Sequence, residues 1–211
     1  MNQPSAGATE PGNARPSANL TETFEWIKGK VEAKAGGNFY YQNWWPDPSE
    51  VGEERISGVQ LQQSSDKCVF LLTFKRQLLT HNVYNSITKD AFSGCEISSE
   101  DDYLETLPVY FLKQAKLITL DRGVPAVGLK FDGKKHNMHW QGSWSRTKCR
   151  DAATNRAGRT EPSDMPDDSV AIWLYRNPAE DNEDLAKRVA DALNHAAALC
   201  ANQKPVSKEP F

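Results

Sequence analysis

The chain has a helix pattern near each end, and every patterned segment between them has the pattern of a strand. In residues 20–35 and again in residues 185–200, apolar residues recur every three or four positions. This spacing is that of one face of an α-helix. Because helices and strands do not alternate along the chain, a doubly wound parallel sheet is not expected. The order predicts an α+β fold in which helices cover an antiparallel sheet.

Local signals place the ends of both helices. Asn19 is followed three residues later by Glu22, which is the pattern of a capping box, and Gly36 and Gly37 end the first helix. Acidic residues within 180–184 favour the positive N-terminal end of the last helix.

The segment between the helices is predicted to form antiparallel hairpins. A polar turn at residues 64–66 separates alternating residues 59–62 from the β-prone run 68–74, and Asp132 with Gly133 is the strongest hairpin signal. The acidic residues 100–102 are interpreted as a solvated loop. Further strands are expected at residues 39–45, 107–112, 115–120, 127–131, 136–140 and 170–175.

Polar composition sets the expected limits of the folded domain. Residues 1–19 and 201–211 are interpreted as disordered tails, and residues 20–200 as a single domain. Residues 145–168 contain almost no large apolar side chain, so they are expected to form a mobile insertion.

Charge and hydropathy exclude some classes of function. The chain has 25 Lys and Arg against 28 Asp and Glu, so no nucleic-acid partner is predicted. No apolar run is long enough for a transmembrane helix. Without a signal peptide the sequence as written indicates the cytoplasm, whereas a missing leader would indicate the cell envelope or secretion.

The four cysteines, which allow three full pairings, have no zinc-type or thioredoxin-type spacing. Cys68 starts an apolar run and Cys200 ends an apolar helix face, so both are expected to point inward. They are either two buried thiols or a disulfide, and a disulfide would suit an exported protein.

A family resemblance follows from three segments. These are the run starting at Cys68, the strand at 171–175 and the helix at 184–200 that starts Asp-Leu-Ala-Lys-Arg. Over residues 56–200 the chain resembles uncharacterised bacterial proteins with a pleckstrin-homology-like barrel. The resemblance implies a mainly antiparallel β-barrel or strongly curved sheet with an N-terminal helix and a capping C-terminal helix. It implies no catalytic residues. The first helix and residues 145–168 depart from a minimal barrel.

Tryptophans and a basic segment are the candidate binding residues. Adjacent tryptophans in an extended segment point to opposite faces, so one of the first pair is expected to meet solvent or a partner. The basic segment is interpreted as a solvated loop, with contact to an anionic membrane surface as the alternative. The candidates are Trp44, Trp45, Trp140, Trp144, Arg146, Lys148 and Arg150.

Motifs for catalysis and metal binding are missing from the sequence. His136 and His139 are three apart on a predicted strand and so point to opposite faces, which disfavours a metal site. No nucleophile elbow is present, and no cofactor is predicted, since phosphate-binding loops are absent. The leading hypothesis is a non-catalytic module that binds a protein or peptide. One alternative is a small-molecule or lipid carrier with an apolar cavity. The other is a hydrolase-like enzyme with His136 or His139 beside carboxylates in a cleft.

Overall fold

The computed structural model describes residues 18–44, 48–82, 95–120, 124–133, 136–149, 152–167, 169–174 and 182–201. Within these ranges the chain forms two α-helices and nine strands. The elements are α1 Leu20–Lys34, β1 Gly37–Trp44, β2 Pro48–Gln63, β3 Val69–Asn82, β4 Glu96–Pro108, β5 Leu112–Leu120, β6 Val124–Phe131, β7 His136–Thr147, β8 Arg156–Asp167, β9 Ser169–Trp173 and α2 Asn182–Cys200.

The strands form two sheets in which every neighbouring pair is antiparallel. The larger sheet has the order β1-β2-β3-β4-β7-β8, and the smaller has the order β5-β6-β9. An isolated parallel bridge from Gly36 to Leu174 joins the start of β1 to the end of β9. The α+β class is therefore confirmed, with a helix at each end of the strand region. The sheets are not closed into a barrel, so the barrel expectation is wrong.

The predicted hairpin at Asp132 and Gly133 is also wrong. Gly133 has a φ of +66°, as a turn requires, but the turn connects β6 of the smaller sheet to β7 of the larger sheet. Both edges of β6 are already paired, one with β5 and one with β9. Because β6 offers β7 no free edge, β7 pairs with β4 and β8 instead.

Two segments interpreted as loops are strands. Residues 145–168, expected as a mobile insertion, contain the end of β7 and the whole of β8, which pair with each other. Residues 100–102 lie inside β4, where Asp101 is buried in register with Arg76. A strand can form through backbone hydrogen bonds without apolar side chains. Such a polar strand does not show the alternation of apolar and polar residues by which other strands are predicted. Most of the predicted tails, 1–19 and 201–211, lies outside the described residues, which include only residues 18, 19 and 201 of them.

The larger sheet has one face toward the core and one toward solvent. The inner face packs against α1, where the rings of Phe24 and Phe70 are 4.8 Å apart between centroids. The opposite outer face is mainly polar and also exposes Leu79 and Leu104. The smaller sheet packs against α2, where Asn194 exchanges two 2.8 Å hydrogen bonds with the backbone of Ala115. The inner face carries Leu61, Phe70, Leu72, Phe74, Arg76, Tyr103, Glu105, Leu107, Met138 and Trp140.

The capping box predicted for α1 is confirmed. The side chain of Asn19 accepts from the Glu22 amide at 3.0 Å, and the side chain of Glu22 accepts from the Asn19 amide at 3.1 Å. Asn19→Ala is expected to lower the free energy of unfolding by about 1 kcal/mol, since it removes the side-chain oxygen that accepts from the Glu22 amide. Urea denaturation measures the change. Glu25→Ala, at an exposed position of the same helix, is the control, and an equal effect of the two would contradict the capping role.

Two disulfides tie distant parts of the chain together. Cys68 is bonded to Cys200, with the Cα atoms 5.8 Å apart across 132 positions, and Cys95 is bonded to Cys149 across 54 positions. The first bond joins the start of β3 to the last residue of α2. Disulfides are typical of proteins that fold in an oxidising compartment.

Candidate ligand-binding cavity

A cavity of about 520 Å³ lies between the inner face of the larger sheet and strand β9. Its walls come from the end of α1, from β2, β3, β4 and β7 on one side, and from β9 on the other. The lining residues are Ala35, Gly36, Glu54, Ile56, Val59, Leu72, Phe74, Arg76, Tyr103, Glu105, His136, Met138, Ser169, Val170, Ala171, Ile172 and Trp173.

Gly36 connects the two sides of this cavity. Its amide donates to the Trp173 carbonyl at 3.1 Å, and its φ is +94°. A Cβ atom at this position would lie 2.6 Å from the Ile56 carbonyl oxygen, which is too close for any side chain. Glycine is therefore required for the close approach to β2, while its amide joins the start of β1 to β9 at one end of the cavity.

The cavity wall contains a buried carboxylate and imidazole. Glu105 on β4 is 5% exposed and His136 on β7 is 2% exposed, with His136 Nε2 and Glu105 Oε2 3.5 Å apart. The His136 ring is stacked on Phe131, with 5.8 Å between centroids. Because Phe131 ends β6 and His136 starts β7, the crossing between the two sheets places this imidazole in the cavity wall.

His136 has unused hydrogen-bonding capacity. Within the described part of the chain, neither ring nitrogen makes a hydrogen bond, although both are buried. A buried polar group without a hydrogen bond costs about 1–3 kcal/mol, so such groups usually face a ligand or an ordered water molecule. The side chain therefore provides a polar contact for a molecule in the cavity.

A second polar group in the lining is formed around Arg76. Its Nε donates to Glu54 Oε1 at 2.6 Å, and its Nη1 donates to the Tyr103 hydroxyl at 3.5 Å. Burial alone would lower the pKa of Arg76. The hydrogen bond with Tyr103 and the negative charge of Glu54 outweigh burial, so the pKa is raised above its ordinary value. Arg76 therefore keeps its positive charge, and the carboxylate of Glu54 balances that charge.

The remaining lining is mainly apolar and aromatic. Phe74 and Tyr103 are stacked with an interplanar angle of 4° and 4.8 Å between centroids. Trp140 continues this aromatic row along the inner face, 6.5 Å from the Tyr103 ring. An apolar cavity with a few convergent polar groups is the usual form of a small-molecule site.

Several candidate binding residues predicted from the sequence lie beside the cavity rather than in it. Trp140, Trp144 and Arg146 share the inner face of β7, and the Arg146 guanidinium carbon is 5.8 Å from the Trp144 ring centroid. Lys148 follows β7 and donates to Glu96 at 2.8 Å. Trp44 belongs to β1, where its backbone alone is described.

Two other predicted residues, Trp45 and Arg150, lie outside the described residues. Of the candidates whose side chains are described, the structure brings Trp140 close to the cavity and places none of the four among its lining residues.

Sequence reasoning missed three of the polar lining residues. Arg76, Tyr103 and Glu105 lie on strands, and each occupies the inward phase of the alternation. A charged residue in the inward phase of a strand is the signal that would have identified Arg76 and Glu105, because such burial is costly without a partner. For Glu105 the signal was hidden, since the neighbouring acidic residues were interpreted as a loop.

His139 lies on the outer face of the larger sheet, away from the cavity. His139 pairs with Leu104 in register, on the face opposite to Met138 and Glu105. No group of three or more potential metal ligands occurs among the described residues. In the same part of the chain, neither α1 nor α2 combines the length and apolar character needed to cross a membrane.

Comparison with known proteins adds no relative: no protein-family model matches the chain, and no curated protein or solved structure is significantly similar to it.

Proposed function

We propose that this protein binds a small, largely apolar molecule in the cavity between the two sheets. The observation that carries the proposal is the cavity itself, about 520 Å³ in volume and lined mostly by apolar side chains with a few polar groups. Ligand sites commonly have volumes of about 300–1,000 Å³ and this kind of lining.

The cavity supports one of the functions expected from the sequence, since a carrier requires an apolar cavity of this kind. The interaction-module hypothesis predicts neither a deep polar pocket nor a convergent group of titratable side chains, so Glu54, Arg76, Glu105 and His136 count against that hypothesis. The proposal does not depend on the pleckstrin-homology-like resemblance.

A cavity-filling variant tests the proposal. We expect N-phenyl-1-naphthylamine, a neutral fluorescent probe, to bind the wild-type protein saturably. Met138→Trp places a larger side chain in the cavity wall and is expected to weaken probe binding at least tenfold. Leu104→Trp, on the outer face of the same sheet and 36% exposed, is the matched control. No saturable binding to the wild-type protein, or equal binding by both variants, would reject the proposal.

A hydrolase-like enzyme is a second candidate, favoured by the position of His136 next to Glu105 in the cavity wall. A general base contributes about 10²–10⁴-fold to a rate. Hydrolysis of p-nitrophenyl butyrate is therefore expected to fall about 100-fold or more in His136→Gln. Absence of turnover by the wild-type protein, or equal turnover by the variant, would count against this candidate.

A further inference from the structure

We infer that the molecule bound in this cavity is neutral or basic, not anionic, and that its polar group contacts His136 and Glu105. This inference rests on the proposed binding function. It names the chemical class of the ligand, and it follows from the charge and hydrogen-bonding capacity of the lining.

Among the described residues that line the cavity, basic side chains do not outnumber acidic ones. The acidic and basic side chains are Glu54, Arg76, Glu105 and His136. Two carboxyl groups therefore accompany one guanidinium and one imidazole. The nearby Asp101, buried in register with Arg76, is a further acid beside the only arginine among them.

The arginine is already neutralised by its own neighbour. Glu54 Oε1 accepts from Arg76 Nε at 2.6 Å, and the Glu54 side chain is 14% exposed. An anionic ligand group that enters this cavity would lose its hydration and would have to compete with Glu54 for the guanidinium. A carboxylate or phosphate is therefore disfavoured.

The buried pair offers complementary contacts to a neutral or basic group. The carboxylate of Glu105 accepts hydrogen bonds and attracts a cation, whereas the imidazole of His136 donates or accepts. An ammonium group has donors and a positive charge for Glu105. A hydroxyl group has both a donor and an acceptor, so it contacts both side chains. The apolar part of either molecule would lie against Phe74, Met138 and Ile172.

Competition by molecules of equal chain length tests the ligand class. Octylamine, 1-octanol and octanoate are each used at pH 7.5 to displace N-phenyl-1-naphthylamine from the wild-type protein. We expect octylamine and octanol to displace the probe at concentrations at least tenfold lower than octanoate. Displacement by octanoate at an equal or lower concentration than octylamine would overturn the inference.

A charge-removing variant tests whether Glu105 is responsible. In Glu105→Gln, the preference for octylamine over octanoate is expected to fall at least fivefold. Glu100→Gln removes an exposed carboxylate from the same strand and should retain the wild-type preference. An equal loss in both variants would attribute the preference to overall charge and overturn the inference. If Glu105→Gln does not bind the probe, the wild-type series decides the question alone.

The two proposals fail in different ways. If the wild-type protein does not bind the probe, the binding function itself is wrong. If the probe binds and octanoate competes as well as octylamine, the cavity is a binding site but the inferred ligand class is wrong.

Discussion

The variant Cys68→Ala with Cys200→Ala is expected to unfold with a free energy about 5 kcal/mol lower than that of the wild-type protein, because it releases a loop that spans 132 positions. Closing a long loop removes conformational entropy from the unfolded chain, and the stabilisation grows with the logarithm of loop length. For a domain of this size, the loss corresponds to a decrease in Tm of roughly 10–20 °C.

Urea denaturation without reductant measures this effect. The wild-type protein in the presence of reductant is the control, since reduction opens the same loop without changing side-chain volume. Reduction also opens the Cys95–Cys149 loop, so the reduced wild-type protein is expected to be no more stable than the variant. A loss below about 1 kcal/mol in the variant would contradict a stabilising disulfide between these residues.

Phe70→Ala is expected to lower the free energy of unfolding by about 3–5 kcal/mol. Phe70 is fully buried on the inner face of β3, and its ring contacts Phe24 of α1 edge to face. Truncation removes buried apolar surface and leaves a cavity between the sheet and the helix. Because α1 packs on this face, the loss affects the whole domain and not one strand.

A second residue on β3 provides the matched control. Leu79 lies an odd number of positions from Phe70, so it points to the outer face, where it is 40% exposed. Leu79→Ala is expected to change the free energy of unfolding by no more than about 0.5 kcal/mol. Equal losses in the two variants would show that the assigned faces of the sheet are wrong.

The sequence predicted the elements that have a strong local signal. The capping box at Asn19 and Glu22, together with apolar residues at helical spacing, located α1 within one residue. The run 68–74 predicted the first half of β3, which continues to Asn82. Strand β8 could not be found by this reasoning, because its polar side chains carry no alternation and its backbone pairing with β7 is its main local interaction.

The candidate site was less predictable than the fold, since it combines residues that are distant in the sequence. His136 was singled out as a catalytic alternative, but its neighbour Glu105 was not. Their proximity depends on the pairing of β4 with β7. This pairing places Glu105 opposite Met138, which is two positions from His136 on the same face of β7. The crossing from β6 to β7 was predicted as a hairpin, so the contact between Phe131 and His136 also came from the structure.

The sequence by itself determined the α+β class, the two helices and most of the apolar strands. The spacing of apolar residues and the helix-capping residues predict these elements, because both signals involve residues that are close in the sequence. Only the tertiary structure decided which strand edges pair, which cysteines bond and where a cavity remains. These outcomes depend on contacts such as Gly36 with Trp173 and Cys68 with Cys200, which form between segments far apart in the chain. A local sequence pattern does not predict such a contact, because the stabilising energy comes from packing two elements that are distant from each other in the sequence.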